Sequence, residues 1–322
     1  MKSPAFWQDP GAPLGRLLAP LGWAYAGTTA WRLAHGRPWT APVPVICVGN
    51  LTAGGAGKTP IVRDLARRLK AAGWNVGILS RGYGGTEHGP LRVDPALHGA
   101  DAIGDEPLLL ARDAPCWIAR DRAAGAKTMA DKGVEVILMD DGLQNPSLAK
   151  DLSIIVADGA TGFGNGRAIP AGPLRETIEA GIRRADALIV TGDDKCGLLE
   201  EFSPEIKTLQ TAVTVRENLP AGPLLAFAGI GRPGKFRATL TEAGADIAAF
   251  QAFADHHAYS ATELAALAER ARALGAELVT TEKDWVRLNG EWRRRIKAIG
   301  IDVVWGDEAG IAALLQRFAG HG

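Results

Sequence analysis

A glycine-rich loop between a short apolar run and a helix-like stretch is the feature that most constrains the fold of this chain. The apolar run spans 43–48, and the following helix is expected at 61–72. The loop between them contains Thr52, Ala53, Gly54, Gly55, Ala56, Gly57, Lys58 and Thr59. Strand, loop and helix in this order are typical of a P-loop, whose backbone N–H groups surround nucleotide phosphates.

The loop matches the P-loop pattern G-x-x-x-x-G-K-[ST] except at the first glycine, where Thr52 stands instead. In that pattern Lys58 reaches the β and γ phosphates, and the hydroxyl of Thr59 ligates Mg²⁺. A structural glycine turn that happens to contain these residues is the alternative interpretation. The P-loop interpretation predicts ATP and Mg²⁺ as the cofactors.

Further apolar runs alternate with helix-like stretches along residues 41–218. Strands are expected at 76–79, 134–139, 152–156 and 187–190, and helices at 108–112 and 120–132. Such alternation predicts an α/β fold with a mostly parallel sheet that is covered by helices on both faces, as in P-loop NTPases.

A second group of elements follows the proline- and glycine-rich stretch 218–223. Strands are expected at 224–228, 277–280 and 301–304, and helices at 235–243 and 261–274. We therefore predict three parts: an amino-terminal apolar segment (1–40), a P-loop core (41–218) and a smaller carboxy-terminal α/β lobe (219–322). The substrates are expected to meet in the cleft between the core and the lobe.

An apolar run that ends in two aspartates lies at 136–141, downstream of the P-loop. This is the form of a Walker B strand, in which a carboxylate at the strand end holds Mg²⁺ directly or through water. Asp140 is the predicted metal ligand, and Asp141 is its neighbour in the pair. A plain turn is the alternative, and the upstream P-loop favours the metal site over it.

Two motifs carry groups that are able to act on a hydroxyl. The first, 104–107, places Asp105 at an expected helix start, either as an ordinary cap or as the acceptor of a hydroxyl proton. The second, 255–257, contains His256 and His257 after an aspartate. A histidine beside an acid can orient a catalytic carboxylate, whereas the spacing offers no third ligand for a metal. Exposed loop histidines without a function are the alternative.

Two glycine-rich loops carry cations that suit a phosphorylated acceptor. The loop after the second strand contains Arg81 and Tyr83, and the loop at 162–176 contains Arg167 and Arg175. Loops with cationic and aromatic side chains often contact ligands. We predict these four residues as substrate contacts, with plain surface loops as the alternative.

The charge balance and the cysteines exclude several classes of protein. Lys plus Arg and Asp plus Glu each total 36, so no global field would attract nucleic acid. Cys47, Cys116 and Cys196 lie far apart, which argues against a disulfide framework or a zinc cluster and fits a reducing, cytoplasmic compartment. Nothing in the sequence indicates a protein partner.

The amino-terminal segment is apolar but is not expected to span a membrane. Residues 1–40 carry Lys2, Arg16, Arg32 and Arg37 against one Asp, so 4 − 1 gives a local charge of +3. No uninterrupted run reaches the ~20 apolar residues that a spanning helix needs, and Arg16 also interrupts the pattern of a signal peptide. The stretch 14–31 is interpreted either as a helix in a membrane interface or as a core helix docked on the main domain.

Together these motifs resemble the tetraacyldisaccharide 4'-kinase (lipid A 4'-kinase) family nearly end to end. The resemblance is carried by the apolar amino-terminal helix and by the stretches 48–52, 58–60, 80–83, 104–107, 140–144, 166–176, 255–257 and 281–284. The P-loop of that family commonly opens with Ser or Thr, so Thr52 matches it. The stretch 281–284 either lies near the nucleotide or simply starts a helix.

The resemblance implies transfer of the γ-phosphoryl group of ATP to the 4' hydroxyl of a tetraacylated glucosamine disaccharide 1-phosphate in lipid A biosynthesis. It implies a location at the cytoplasmic face of the bacterial inner membrane, with the acylated lipid and the membrane surface as partners. Asp105 would be the catalytic base with His256 as its partner, alongside Lys58 and Asp141. A regulatory P-loop NTPase switch at the membrane is the rival hypothesis, and it would need no acceptor base.

Overall fold

The computed structural model describes residues 4–316 and 318. Lys2 and the extreme ends of the predicted segments 1–40 and 219–322 lie outside the described residues. The strands, in chain order, are β1 (Val45–Gly49), β2 (Val76–Ser80), β3 (Leu91–Arg92), β4 (Cys116–Ile118), β5 (Val136–Asp140), β6 (Leu152–Asp158), β7 (Ala187–Thr191), β8 (Lys207–Val215), β9 (Pro223–Ala228), β10 (Asp246–Ala252), β11 (Glu277–Thr281), β12 (Lys297–Ile299) and β13 (Ile301–Trp305).

Helices connect most of these strands, and a 3₁₀ turn at Ala5–Gln8 precedes them. In chain order they are α1 (Pro13–Leu17), α2 (Ala19–Ala34), α3 (Lys58–Ala71), α4 (Ala100–Ile103), α5 (Asp105–Leu110), α6 (Arg122–Asp131), α7 (Ile178–Ile182), α8 (Leu198–Phe202), α9 (Pro233–Glu242), α10 (Ala261–Ala273), α11 (Glu282–Trp285), α12 (Gly290–Arg295) and α13 (Glu308–Gln316).

The larger of two sheets contains nine strands within residues 4–316, in the order β13-β8-β7-β6-β1-β5-β2-β4-β3. Its inner strands run parallel, and the edge strands β13 and β3 are antiparallel to their neighbours. The predicted mostly parallel α/β sheet is thus confirmed. Because β1 lies between β5 and β6, the loop that follows β1 opens at the middle of the carboxyl edge, where ligands bind in such sheets.

Both faces of the large sheet are covered by helices, because successive residues of its strands point to opposite sides. Ile46 of β1 belongs to the same buried cluster as Leu65 of α3. Its neighbour Cys47 belongs to the cluster on the other face, together with Met129 of α6. Both faces are apolar, as the near-continuous hydrophobic strands of the sequence predict.

The small lobe, residues 223–299, is built on a parallel sheet with the order β10-β9-β11-β12. The strand predicted at 301–304 forms as β13, but it pairs antiparallel with β8, Ile301 opposite Val215. Its assignment to the small lobe is therefore wrong. Apolar alternation identifies a strand but not its partner, and Trp305 of β13 is buried in the large-sheet cluster that includes α3. The division of the chain at 218/219 stays a prediction.

The amino-terminal helices dock on the core through small residues. Gly15, Gly22, Ala26 and Thr29 are buried, and they follow one another at helical spacing. A Cβ at Gly22 would lie 2.7 Å from the carbonyl oxygen of Ala168, so this close approach requires glycine. The helix therefore packs on the glycine-rich loop 162–176 through its small-residue face.

The outward surface of these helices, away from the core, carries large apolar side chains that are exposed. They are Leu14, Leu17, Leu21, Trp23, Tyr25 and Trp31. Leu17 and Trp23 are 76% and 74% exposed, which is far from the burial that a core helix gives such residues. Within the described residues, no helix is long and apolar enough to cross a membrane.

Candidate active site

The loop after β1 has the form of a phosphate-binding loop. β1 ends at Gly49, and α3 begins at Lys58. The preceding Gly57 has a φ of +82°, a left-handed conformation that favours glycine. It also has no side chain to cap the first turn, so the N–H groups there lack a side-chain acceptor. A Cβ at Gly55 would have no atom within 4 Å. A free helix start beside open space suits a nucleotide phosphate.

Lys58 is held between a neutral and an acidic side chain. Its Nζ donates to Oδ1 of Asn50 at 3.1 Å and lies 3.5 Å from Oδ1 of Asp141. Asn50 is buried, and its Nδ2 donates to the carbonyl oxygens of Thr52 and Gly54. Asn50 was not among the predicted site residues. The sequence feature that points to Asn50 is its position as a polar residue directly after a buried strand.

The two aspartates at the end of β5 have contrasting electrostatics. Asp140 is buried, and burial, together with the negative charge of Glu106, raises its pKa to about 7. Ser80 Oγ donates to its Oδ2 at 3.3 Å. Burial would also raise the pKa of Asp141, but Lys58 and Arg175 outweigh this effect and lower it. Asp141 is thus an anion with cationic partners, whereas the charges of Lys58 and Arg122 offset only part of the effects that raise the pKa of Asp140.

The two cations predicted in loop 162–176 occupy different places. Arg175 Nη1 lies 2.9 Å from Oδ1 of Asp141, the carboxylate that Lys58 also contacts. Arg167 donates to the carbonyl oxygen of Pro10 at 3.1 Å and so contacts the amino-terminal segment. The structure does not bring these two predicted substrate residues together.

The loop after β2 lies beside the start of α5. Arg81 and Tyr83 are both exposed, and the Tyr83 ring centroid is 6.5 Å from that of His256. A Cβ at Gly104 would lie 2.4 Å from the carbonyl oxygen of Tyr83, so this contact also depends on a glycine. Tyr83 therefore borders the position of Asp105.

Asp105 and His256 are in direct contact, although 150 residues separate them in the chain. Nδ1 of His256 lies 3.1 Å from Oδ2 of Asp105, which is buried at the first position of α5. His256 has a φ of +57°, an uncommon conformation for a non-glycine residue. His257 instead lies 3.0 Å from Glu263 and stacks on Phe253. Of the two histidines, His256 is the one that contacts the acid.

Two cations of the small lobe also reach Asp105, and neither was predicted. Arg287 Nε donates to Oδ2 of Asp105 at 2.9 Å, and Lys283 Nζ lies 3.9 Å away. Burial would raise the pKa of Asp105, but the hydrogen bond from His256 and the charges of Lys283 and Arg287 lower it well below its usual range. The carboxyl is therefore ionised at neutral pH.

The phosphate loop and the acid–histidine pair lie on one side of the molecule. Ser80, at the carboxyl end of β2, bonds to Asp140, and the loop that follows β2 contacts Gly104 before Asp105. The effect of Glu106 on the pKa of Asp140 also reflects this proximity. Fold and site together define an α/β P-loop protein with an acid–histidine pair on the same side as its glycine-rich loop.

Comparisons with known proteins narrow this class to one family. The tetraacyldisaccharide-1-P 4'-kinase family matches residues 14–319. The tetraacyldisaccharide 4'-kinase of Rhodospirillum centenum is 52% identical over 95% of this chain and 93% of its own length. That of Phenylobacterium zucineum is 48% identical over 98% of both chains. A crystal structure of LpxK from Aquifex aeolicus in complex with ATP has 30% identity and a TM-score of 0.76, and the match covers 95% of this chain and 99% of that chain.

The chain belongs to the tetraacyldisaccharide-1-P 4'-kinase family.

Proposed function

We propose that this kinase transfers the γ-phosphoryl group of ATP to the 4' hydroxyl of a tetraacylated glucosamine disaccharide 1-phosphate, a step of lipid A biosynthesis. The observation that carries the proposal is the contact of Asp105 with His256 beside the phosphate loop. A regulatory NTPase needs the loop and the Walker B aspartate but no group that accepts a hydroxyl proton. The Asp105–His256 pair therefore favours a kinase that acts on an alcohol over a regulatory NTPase switch.

Lys58 and the loop 52–59 are proposed to bind the ATP phosphates. The relative from Aquifex aeolicus is described in complex with ATP. In this chain Lys58 has anionic and neutral oxygen partners, Asp141 and Asn50, which phosphate oxygens would replace. In phosphoryl transfer the protein mainly positions the reactants and neutralises charge, so a lysine at the β and γ phosphates has a large effect.

Thr59 and Asp140 are proposed to hold Mg²⁺. Hydroxyl and carboxylate oxygens are the ligand types this ion prefers, and a divalent cation would stabilise the ionised form of the buried Asp140. Within residues 4–316 and 318, no cluster of three His, Cys, Asp or Glu residues is arranged to hold a metal. This suits an ion that keeps water and phosphate ligands. When bound, Mg²⁺ would neutralise charge on the phosphates.

Asp105 is proposed to orient the acceptor hydroxyl and to receive its proton together with His256. As the bond from the acceptor oxygen to the γ-phosphorus forms, the O–H proton passes to the Asp105–His256 pair, and ADP leaves with the electron pair of the broken P–O bond. Asp105 is ionised at neutral pH, as an acceptor must be. Arg81 and Tyr83 border this position and are proposed to contact the acceptor.

The reaction is proposed to take place at the cytoplasmic face of the inner membrane. An acceptor with four acyl chains leaves a bilayer only at great cost, since each buried CH₂ is worth about 0.8 kcal/mol. The exposed apolar face of α1 and α2 and the local charge of +3 suit an anionic lipid surface. The enzyme would therefore bind the membrane surface and act on the acceptor there.

The proposed activity is tested by incubation with γ-labelled ATP and total inner-membrane lipid, followed by identification of the labelled product. We expect label on the 4' position of a tetraacylated disaccharide 1-phosphate, because the acceptor pair needs an alcohol. Release of labelled inorganic phosphate at the same rate with and without lipid would instead support the NTPase switch.

Substitutions on the exposed apolar face are expected to reduce membrane association. Leu17→Ser, Leu21→Ser and Trp23→Ser together should weaken binding to anionic vesicles by about tenfold or more, since full burial of each such side chain is worth roughly 1.5–3 kcal/mol. Co-sedimentation with vesicles measures this. Substitution is preferable to deletion because the inner face of these helices packs on loop 162–176.

Leu97→Ser with Leu274→Ser is the matched control, since these two leucines are exposed but lie outside the amino-terminal helices. The control should bind vesicles like wild type. Equal vesicle binding by the triple variant would rule out this face as the membrane contact.

A further inference from the structure

The stretch 281–284, for which the sequence leaves two interpretations open, starts a helix. Thr281 is the N-cap of α11, and its hydroxyl accepts the N–H of Asp284 at 3.0 Å. The next residue, Glu282, accepts hydrogen bonds from Arg63 on α3, the helix that follows the phosphate loop. Lys283 donates to Glu106 at 3.1 Å. This turn therefore contacts the helix that follows the phosphate loop and the residue that follows Asp105.

Asp284 is fully buried and serves as the anchor of a hydrogen-bond chain. Its Oδ1 accepts the backbone N–H of Gly229 at 3.0 Å and the hydroxyl of Tyr259 at 2.8 Å. Its Oδ2 accepts the hydroxyl of Thr281 at 2.6 Å. A buried carboxylate with this many donors has its position determined by the surrounding fold.

Arg287 connects this anchor to Asp105. Its Nη1 donates to Oδ1 of Asp284 and to the carbonyl oxygen of Gly229, both at 2.8 Å. Its Nε and Nη2 both donate to Oδ2 of Asp105. All three guanidinium nitrogens are thus engaged, and the side chain is only 7% exposed. A planar guanidinium held at both ends has little freedom to rotate.

The bonds from Arg287 meet the same oxygen of Asp105 that contacts His256. Nδ1 of His256 lies 3.1 Å from Oδ2, while Oδ1 accepts the backbone N–H of Glu106 at 3.0 Å. The orientation of the carboxylate toward His256 therefore depends on the Arg287 contacts at Oδ2 and on the backbone N–H of Glu106 at Oδ1.

We propose that Arg287, held by Asp284, is a positioning residue that orients Asp105 against His256 for the attack of the acceptor hydroxyl. This inference rests on the proposed function, because it assigns Arg287 an effect only through the acid–histidine pair. It gives the turn at 281–284 a role on the acceptor side of the reaction.

A double-mutant cycle in the full-length enzyme tests this role. We expect Arg287→Gln to lower kcat for the lipid by about 10²-fold, the scale of a misplaced reacting group, with the KM for ATP unchanged. The double variant Arg287→Gln, Asp105→Asn should lose no more activity than Asp105→Asn alone, because residues that act as a unit are not additive. Arg287→Lys should not restore kcat, since lysine keeps the positive charge but lacks the planar guanidinium that donates several hydrogen bonds in a fixed geometry.

Arg295→Gln is the matched control, because Arg295 is exposed and contacts Glu291, at 3.6 Å, and the ring of Trp292 rather than Asp105. Additive losses in the cycle, or full activity of Arg287→Lys, would overturn the positioning role while leaving the kinase assignment intact. A parallel loss of ATP affinity in both Arg287 variants would overturn it in favour of a purely structural ion pair. Absence of lipid product with wild-type enzyme would overturn the kinase assignment and the positioning role with it.

Discussion

Lys58→Ala is expected to lower kcat/KM for lipid phosphorylation by about 10³-fold or more, which corresponds to roughly 4 kcal/mol of transition-state stabilisation. Lys58 stands at the start of α3 and has Asp141 and Asn50 as its present partners. Its removal takes away the cation proposed to neutralise the β and γ phosphates, where charge develops in the transition state. It also leaves Asp141 with less positive charge nearby, so ATP binding should weaken too. Initial rates with labelled ATP, together with a binding isotherm for ATP, measure both effects.

Lys70→Ala is the control for this experiment. Lys70 belongs to the same helix but lies at its far end, exposed, with its Nζ on the carbonyl oxygen of Asp113. It should retain wild-type kinetics. Full kinase activity of Lys58→Ala would show that the phosphate site has been assigned to the wrong residues.

Asp105→Asn is expected to lower kcat by about 10²- to 10⁴-fold, the range typical of a general base, while ATP affinity changes little. The substitution keeps the shape of the side chain and removes the proton acceptor. The pKa of Asp105 is lowered by His256, Lys283 and Arg287 against the effect of burial. A carboxyl with a lowered pKa stays ionised as pH falls and is protonated only below its usual range. Loss of the Asp105 carboxylate should therefore not limit wild-type activity at mildly acidic pH.

Asp101→Asn provides the comparison, since Asp101 is an exposed carboxylate in the short helix just before Asp105. Nucleotide binding must be measured alongside turnover, because the asparagine removes one of the two carboxylates that Lys283 and Arg287 each contact. Turnover equal to wild type in Asp105→Asn would exclude Asp105 as the base.

The geometry of the glycine-rich loop was predictable from sequence because it is local. A buried strand, a glycine-rich loop and a helix follow one another within about 30 residues of one βα unit, so spacing alone indicates how Lys58 and Thr59 are presented. The Walker B aspartates similarly follow from an apolar strand that ends in carboxylates. These residues are close in space because they are close along the chain, so their sequence spacing is sufficient to place them.

The contacts of Asp105 with His256 and Arg287 instead join distant segments of the chain. Arg287 and Asp105 are separated by 182 positions, and no periodicity relates them. The placement of β13 failed for the same reason, since the partner of a strand is not encoded in its own alternation. Likewise, the amino-terminal sequence did not show which side of its helix packs on the core and which side is exposed. That depends on whether its glycines or its leucines face the loop at 162–176, which the structure shows to be the glycines.

The pairing of β13 with β8 has a consequence for how this protein is built. Val215 and Ile301 lie opposite each other in that pairing, so the chain leaves the large sheet and returns to it at neighbouring positions. The small lobe is thus an insertion within what would otherwise be a β-hairpin at the sheet edge. A two-residue turn could close that hairpin directly. The lobe that supplies His256 and Arg287 is therefore joined to the large sheet at two paired strand ends, and it leaves the order of the nine strands uninterrupted.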